Sequence, residues 1–204
     1  MKIIQIIFIC WIFNSNFSVL AQNWIIEPIG SYEINLDIPQ LGGLSSIKIN
    51  QAGKNFVSIS DKGRYFEGNI LRDINGAIID ISIFNDGPLL NSSGQPLAGR
   101  NTDSEAFTTT HETGFFISFE SNHRIMFHES LDTAGTFLPK HKDFKHFKAN
   151  KGLEAIAANS SGEIFAIPEE PSEIDANFPI YKLKDKNWSV LARFPPSGSF
   201  QVTD

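Results

Sequence analysis

Short apolar or alternating runs separated by turn residues dominate the chain after residue 30. Residues 56–59 and 115–119 are examples of such runs, and helical periodicity is hard to find. Residues that favour turns punctuate these runs, as in Asn75-Gly76 and Ser161-Gly162. Runs with a period of two, bounded by turn residues, are typical of strands joined by hairpins. The pattern therefore predicts an all-β fold.

Three stretches of the chain share one arrangement: a strand, a glycine turn, a second strand and then an acidic residue. Their first strands open at Ser45, Glu105 and Glu154, which are 60 and 49 residues apart. Periods of about 40–50 residues with several strands each are typical of β-propeller blades, although any β-meander can show strand, glycine and strand by chance. The turns contain Gly53, Gly114 and Gly162, and the acidic residues that follow are Asp61, Glu120 and Glu169.

The last residues, 199–204, look like the opening of a fourth repeat. We therefore expect about three to three and a half blades in this chain. Since propellers usually close with about 4–8 blades, the ring is expected to be incomplete, as in a fragment of a longer protein.

Residues 1–21 have the features of a signal peptide. Lys2 precedes an apolar stretch at residues 3–13, a polar break at 14–16, and the segment Val19-Leu20-Ala21. A membrane anchor would need about 18–20 apolar residues, so cleavage after Ala21 is the better interpretation. We expect a periplasmic or secreted protein with no transmembrane segment after cleavage. The remainder divides into a lead-in strand at residues 22–39 and a propeller domain at residues 40–204.

The amino-acid composition limits the classes of molecule that the protein is expected to bind. The formal net charge of −6 argues against a broad nucleic-acid-binding surface, because phosphate neutralisation needs clustered Lys and Arg. The single cysteine, Cys10, lies within the predicted signal peptide, so we expect a mature chain with neither a disulfide nor a reactive thiolate. An acidic chain more naturally binds cations or small molecules.

The acidic residues of the repeats are the first candidates for chemistry. The innermost strands of a propeller line its central channel, so residues at matching positions converge on the axis. Carboxylates gathered there repel one another unless a cation lies between them, and Ca²⁺ takes six to eight oxygen ligands. The alternative is that these side chains are solvated or bonded to loop backbone. The candidate metal ligands are Asp61, Glu105, Glu120, Glu154 and Glu169, and the candidate catalytic residues are Glu105 and Glu154.

Basic residues near these acids are candidates for binding an anionic substrate. The predicted substrate-binding residues are Arg64 and Lys151. Ordinary surface salt bridges are the alternative role, and they are favoured for Lys62 and Arg124. The run at residues 140–148 is basic within an acidic protein. It is typical of a solvated loop, with guidance of an anionic substrate as the alternative. The histidines show no zinc-binding spacing.

Several segments together resemble the family called esterase-like activity of phytase, a phytase-like β-propeller domain of exported bacterial proteins. The most specific of them is Asn150-Lys151-Gly152-Leu153-Glu154. The others include Gly42-Gly43-Leu44-Ser45, Ser60-Asp61-Lys62-Gly63-Arg64, Asp103-Ser104-Glu105-Ala106 and Ser118-Phe119-Glu120-Ser121. The resemblance covers about residues 40–204, and it implies a propeller and a hydrolytic activity on phosphate or other esters. Compared with the family, this chain is expected to lack the final blades.

Two functions follow as hypotheses. The first is an exported hydrolase that acts on a small-molecule ester or phosphate ester, with Ca²⁺ or a similar cation at a carboxylate-lined mouth. The second is a propeller that binds a ligand or calcium without catalysis. The sequence carries no signal for the oligomeric state.

Overall fold

The computed structural model describes residues 27–110 and 114–203. The predicted signal peptide lies outside the described residues. Twelve β-strands and two short 3₁₀ turns, Gly99–Asn101 and Lys142–His146, form the regular structure of the described part. The strands are β1 Leu44–Ile49, β2 Asn55–Ser60, β3 Arg64–Arg72, β4 Ile78–Pro88, β5 Ser104–Thr109, β6 Phe115–Phe119, β7 Arg124–His128, β8 Thr136–Phe137, β9 Leu153–Ala158, β10 Ile164–Pro168, β11 Phe178–Lys184 and β12 Asn187–Phe194.

The strands form three four-stranded antiparallel sheets, each with its strands in sequence order. The first sheet contains β1 to β4, the second β5 to β8 and the third β9 to β12. The first strands of the sheets are neighbours, because β5 contacts both β1 and β9. Consecutive four-stranded meanders with adjacent first strands are the blades of a propeller, and β1, β5 and β9 are the innermost strands. The predicted all-β, propeller-like fold is confirmed.

The glycine turns that defined the repeat close the first hairpin of each blade. Gly53, Gly114 and Gly162 have positive φ angles of 68°, 96° and 75°, in the left-handed region that glycine adopts without a steric penalty. The Gly53 N–H donates to the Asn50 carbonyl at 2.9 Å, and the Gly162 N–H donates to the Asn159 carbonyl at 3.1 Å. These turns hold β1 against β2 and β9 against β10.

The hydrophobic core lies largely between neighbouring sheets. Apolar side chains of the first two blades, among them Ile59 and Phe119, form one buried cluster. Ile125 of the second blade and Leu153 of the third belong to another, which also buries Phe144 of the 3₁₀ turn. Alternating positions along each strand supply these side chains, as period-two patterning requires. Packing between blades therefore fixes the relative positions of the inner strands, and those strands carry the candidate site.

Two further observations concern the expected lead-in segment and membrane-spanning helices. Residues 27–39 form no β-strand, so this part of the expected lead-in is not a strand. Residues 22–26 lie outside the described part of the chain. Within residues 27–110 and 114–203, no helix is long and apolar enough to cross a membrane.

Candidate metal centre

Each blade places an acidic residue directly after its second strand. The backbone N–H of this residue donates to the carbonyl of the residue that precedes the inner strand of the same blade. The shared bond fixes where the acidic side chain leaves the sheet, at the end of the domain where the inner strands begin. The bonds are Asp61 N–H to Gly43 O at 2.9 Å, Glu120 N–H to Asp103 O at 2.9 Å and Glu169 N–H to Gly152 O at 2.8 Å.

Two clusters of carboxylates meet at this end, and Glu120 belongs to both. Asp103, Glu105 and Glu120 form the first cluster, and Glu120, Glu154 and Glu169 form the second. Within each cluster the candidate ligand oxygens lie within 4.8 Å of one another. Oxygens that bind one Ca²⁺ at about 2.3–2.6 Å are separated by at most about 5 Å, so this spacing suits a shared ion. Four of the five predicted metal ligands are thus brought together.

Glu120 is the most enclosed of these carboxylates, with 5% of its surface exposed. Its Oε1 accepts a hydrogen bond of 2.7 Å from the backbone N–H of Gly152, so a side chain of the second blade reaches the third. Burial raises the pKa of Glu120, and the charges of Asp103 and Glu169 raise it further. The Gly152 hydrogen bond and the nearby Lys151 ammonium oppose this rise. Glu120 therefore lies in a site that disfavours its own negative charge.

Glu105 shows the same effect more strongly. Its pKa is raised from 4.5 to about 8, chiefly by burial and further by the neighbouring Glu154, Glu120 and Asp103 carboxylates. Glu105 and Glu154 are the second residues of β5 and β9, so two adjacent inner strands present them at matching positions. A carboxyl group with so high a pKa keeps its proton at neutral pH unless a positive charge arrives. The donor set therefore fits a divalent cation, which would relieve the repulsion among these groups.

Lys151 is the cationic side chain closest to the second cluster. Its Nζ donates to Glu169 at 2.6 Å and lies 3.8 Å from Glu170, which also pairs with Lys148 at 2.8 Å. The hydrogen bond to Glu169 raises the pKa of Lys151, and the surrounding carboxylates contribute to the rise. Lys151 thus lies beside the candidate cation site, where its ammonium group can contact an anion or remain paired with the Glu169 carboxylate.

Arg124 lies close to the first cluster but is engaged elsewhere. Only 1% of its surface is exposed, its Nη2 donates to the Asn101 carbonyl at 2.6 Å, and its guanidinium lies 4.1 Å from the centre of the Phe119 ring. Burial lowers its pKa to about 10, while the charge of Asp103 opposes that shift. These contacts make Arg124 a buried support for the inner end of the second blade.

Two predicted site residues, Asp61 and Arg64, neither belong to a cluster nor form an ion pair with one of its members. Asp61 is exposed, and its carboxylate lies against Gly43 of its own blade. Arg64 forms an ion pair of 2.5 Å with Asp86 on β4. Asp61 is one carbon shorter than Glu120 and Glu169, which shortens its reach. The metal-binding role of Asp61 and the substrate-binding role of Arg64 remain predictions.

Asp103 is the one cluster member that was not predicted from the sequence. It occupies the position that Gly43 and Gly152 hold in the other blades, so comparison of the repeats gave no reason to expect an acidic side chain there. The available signal was its spacing from Glu105, because residues i and i+2 of an extended chain project to the same side. Its Oδ2 also accepts a hydrogen bond of 3.0 Å from the Ser121 hydroxyl.

Comparison with known proteins settles the family. The phytase-like family described as esterase-like activity of phytase matches residues 39–201. The chain belongs to this phytase-like family. The resemblance seen in the sequence segments is confirmed, and membership indicates a hydrolase-type propeller. No curated protein shows significant similarity to the chain.

Solved structures of low identity are also similar to parts of the chain. One is U3-55K, with 8% identity, a TM-score of 0.43, and coverage of 78% of this chain and 41% of that one. A putative 6-phosphogluconolactonase from Bacteroides uniformis has 10% identity, a TM-score of 0.41 and coverage of 74% and 39%. The β-propeller domain of Myceliophteria thermophila Cps50 (Swd1) has 11% identity, a TM-score of 0.39 and coverage of 77% and 45%. The chain spans less than half the length of each of these structures.

Proposed function

We propose that this phytase-like domain hydrolyses esters, with phosphate esters as the first substrate class, by using a divalent cation at its carboxylate clusters. The observation that carries the proposal is the pair of clusters that share the buried Glu120. Ca²⁺ is the proposed cation, because every candidate ligand is a carboxylate oxygen and no histidine belongs to either cluster in the described residues.

The two clusters suit different tasks. Glu120, Glu154 and Glu169 would hold the cation, and Lys151, already bonded to Glu169, would contact an anionic oxygen of the substrate. When bound, the cation would neutralise the carboxylates and polarise the ester oxygen. Glu105 is the proposed general base. A cation bound at the neighbouring cluster would lower the raised pKa of Glu105 toward neutral pH, so that Glu105 can lose its proton and then accept one from water.

In this scheme Glu105 accepts a proton from the attacking water as the new oxygen bond forms to phosphorus or to the acyl carbon. The bond to the alcohol oxygen breaks, the leaving oxygen takes a proton from bulk water, and Glu105 returns its proton to the solvent. Asp103, which hydrogen-bonds Glu105, orients the carboxyl group. We also propose export to the periplasm or the medium, on the basis of the apolar segment near the start of the sequence.

The test is an assay of the EDTA-treated chain against p-nitrophenyl phosphate, phytate and p-nitrophenyl acetate, with and without added CaCl₂. We expect calcium-dependent turnover, and we expect Glu105→Gln to lower kcat by at least about 100-fold, the usual contribution of a general base. The exposed Glu129, at the outer end of the second blade's third strand, supplies the charge-matched control, Glu129→Gln. Absence of turnover on all three substrates contradicts hydrolysis. If calcium then still raises the melting temperature, the domain is a non-catalytic calcium-binding module.

A further inference from the structure

A basic cavity lies beside the carboxylate clusters. It has a volume of about 410 Å³ and is lined by the turn at residues 121–123 and by the segment at residues 140–145. Lys140, Lys142 and Lys145 contribute three ammonium groups to its wall, and His123 and His141 contribute two imidazoles. The volume falls within the usual range for small-molecule sites. Part of the basic run seen in the sequence thus lines a concave surface.

The wall of this basic cavity is held by specific contacts. The Lys140 Nζ donates to both the backbone carbonyl and the side-chain oxygen of Asn122, each at 2.8 Å, which ties the two lining segments together. Phe144, only 2% exposed, anchors the 3₁₀ turn by packing edge-to-face against Trp188 and Tyr181. The cavity therefore lies on a supported part of the third-blade core.

Positive charge in the cavity is poorly compensated. Within residues 27–110 and 114–203, neither Lys142 nor Lys145 forms an ion pair with a carboxylate. The acid on the same turn, Asp143, lies 3.4 Å from His141 and accepts a 3.4 Å hydrogen bond from the Tyr181 hydroxyl. Burial lowers the pKa of Lys140, and the nearby positive charge of Arg124 lowers it further. An anion in this cavity would relieve the repulsion among its cations.

The basic cavity and the first carboxylate cluster are joined through one turn. Glu120 begins that turn, and Ser121, whose hydroxyl donates to Asp103 at 3.0 Å, is followed by the cavity residues Asn122 and His123. Ser121 has a positive φ of 50°, which is uncommon for a residue other than glycine and redirects the chain between the two sites. An anion held by the lysines would therefore lie next to the proposed cation site.

We propose that this basic cavity binds a phosphate group, either as free phosphate or as part of a phosphate ester. Three ammonium groups around one small cavity suit a compact anion with more than one charge, and a phosphate monoester carries about −1.5 to −2 at pH 7. Binding at this cavity needs no cation at the carboxylate clusters. The inference therefore goes beyond the proposed function, and it can stand or fail separately.

The test is calorimetric titration of the full chain with inorganic phosphate and with phenyl phosphate, in EDTA at constant ionic strength. EDTA removes any cation that could hold phosphate at the carboxylate clusters. We expect saturable binding that Lys142→Gln/Lys145→Gln weakens about tenfold, the loss expected for two charge-assisted contacts in a partly solvated site. Lys142 and Lys145 are exposed, so the double variant should fold normally and keep the wild-type melting temperature.

The matched control is Lys54→Gln/Lys186→Gln, which removes two exposed lysines from hairpin turns of the first and third blades. We expect this control to bind phosphate like the wild type. Binding of both probes identifies a phosphate-ester site, and binding of inorganic phosphate alone identifies a free-anion site. Absence of saturable binding, or equal weakening in the two double variants, contradicts the proposal.

Discussion

The raised pKa of Glu105 leads to a measurable effect on stability. Its folded-state pKa is about 8, against 4.5 for the ordinary side chain. Between these values the folded protein keeps a proton that the unfolded chain has lost. The stability associated with Glu105 is therefore present in full below about pH 4.5, and it is lost progressively as the pH rises through about 8.

The size of the effect follows from the same shift. One pKa unit corresponds to about 1.36 kcal/mol, which sets an upper bound of about 5 kcal/mol for Glu105. Because the side chain is only half-buried, solvent screening reduces the expected value to about 2–3 kcal/mol. Glu105→Gln replaces the carboxyl with a neutral group of similar shape. At pH 8.5 in EDTA we expect this variant to melt about 5–10 °C above the wild type, since about 1 kcal/mol moves the melting temperature of such a chain by about 2–4 °C.

Thermal melts followed by circular dichroism at pH 5 and pH 8.5 would measure this difference. At pH 5 the wild type and Glu105→Gln should melt at nearly the same temperature, and Glu129→Gln should match the wild type at both pH values. If Glu105→Gln melts at or below the wild-type temperature at pH 8.5, then the carboxylate cluster does not destabilise the cation-free protein, and the argument from electrostatic repulsion is wrong.

Two further substitutions test the geometry around the clusters. Gly152→Ala would press its Cβ against the Nδ1 of His123, so we expect urea titrations to show a loss of about 2–3 kcal/mol of unfolding free energy. The control Gly30→Ala should be neutral, because a Cβ at Gly30 would have no neighbouring atom within 4 Å. Lys151→Gln removes the ammonium that pairs with Glu169, so calorimetry should show calcium binding several-fold more tightly while KM for p-nitrophenyl phosphate rises. An unchanged KM in Lys151→Gln contradicts its predicted contact with substrate.

Much of the fold could be predicted from the hydrophobic pattern. The first hairpin of each blade was visible because a strand of alternating residues, a turn glycine and a second strand recur around Gly53, Gly114 and Gly162. The strands β3 and β11 were harder to recognise. Gly68 interrupts the apolar run of β3, and Pro179 lies near the start of β11, so their patterns are less regular. These strands form because antiparallel pairing with a neighbouring strand compensates for weak local preference.

The candidate site was predictable as far as the repeats are alike. Glu105 and Glu154 occupy equivalent positions on β5 and β9, and Glu120 and Glu169 follow β6 and β10, so their convergence follows from the stacking of blades. Asp103 broke the repeat and was not selected. The partnership between Glu120 and the Gly152 N–H joins different blades, and contacts of that kind depend on packing that a linear pattern does not specify.

Calcium binding by the EDTA-treated chain is the most direct test of the carboxylate centre. The measurement is isothermal titration of CaCl₂ at pH 8.5 into the wild type, Glu120→Gln and Glu129→Gln. Glutamine can still accept the Gly152 hydrogen bond, so the substitution at Glu120 removes the charge that both clusters share while retaining that contact. We expect saturable binding by the wild type and by Glu129→Gln, and a loss of at least about tenfold in affinity for Glu120→Gln. Absence of binding by the wild type, or equal affinity in all three proteins, would contradict a cation site at these clusters.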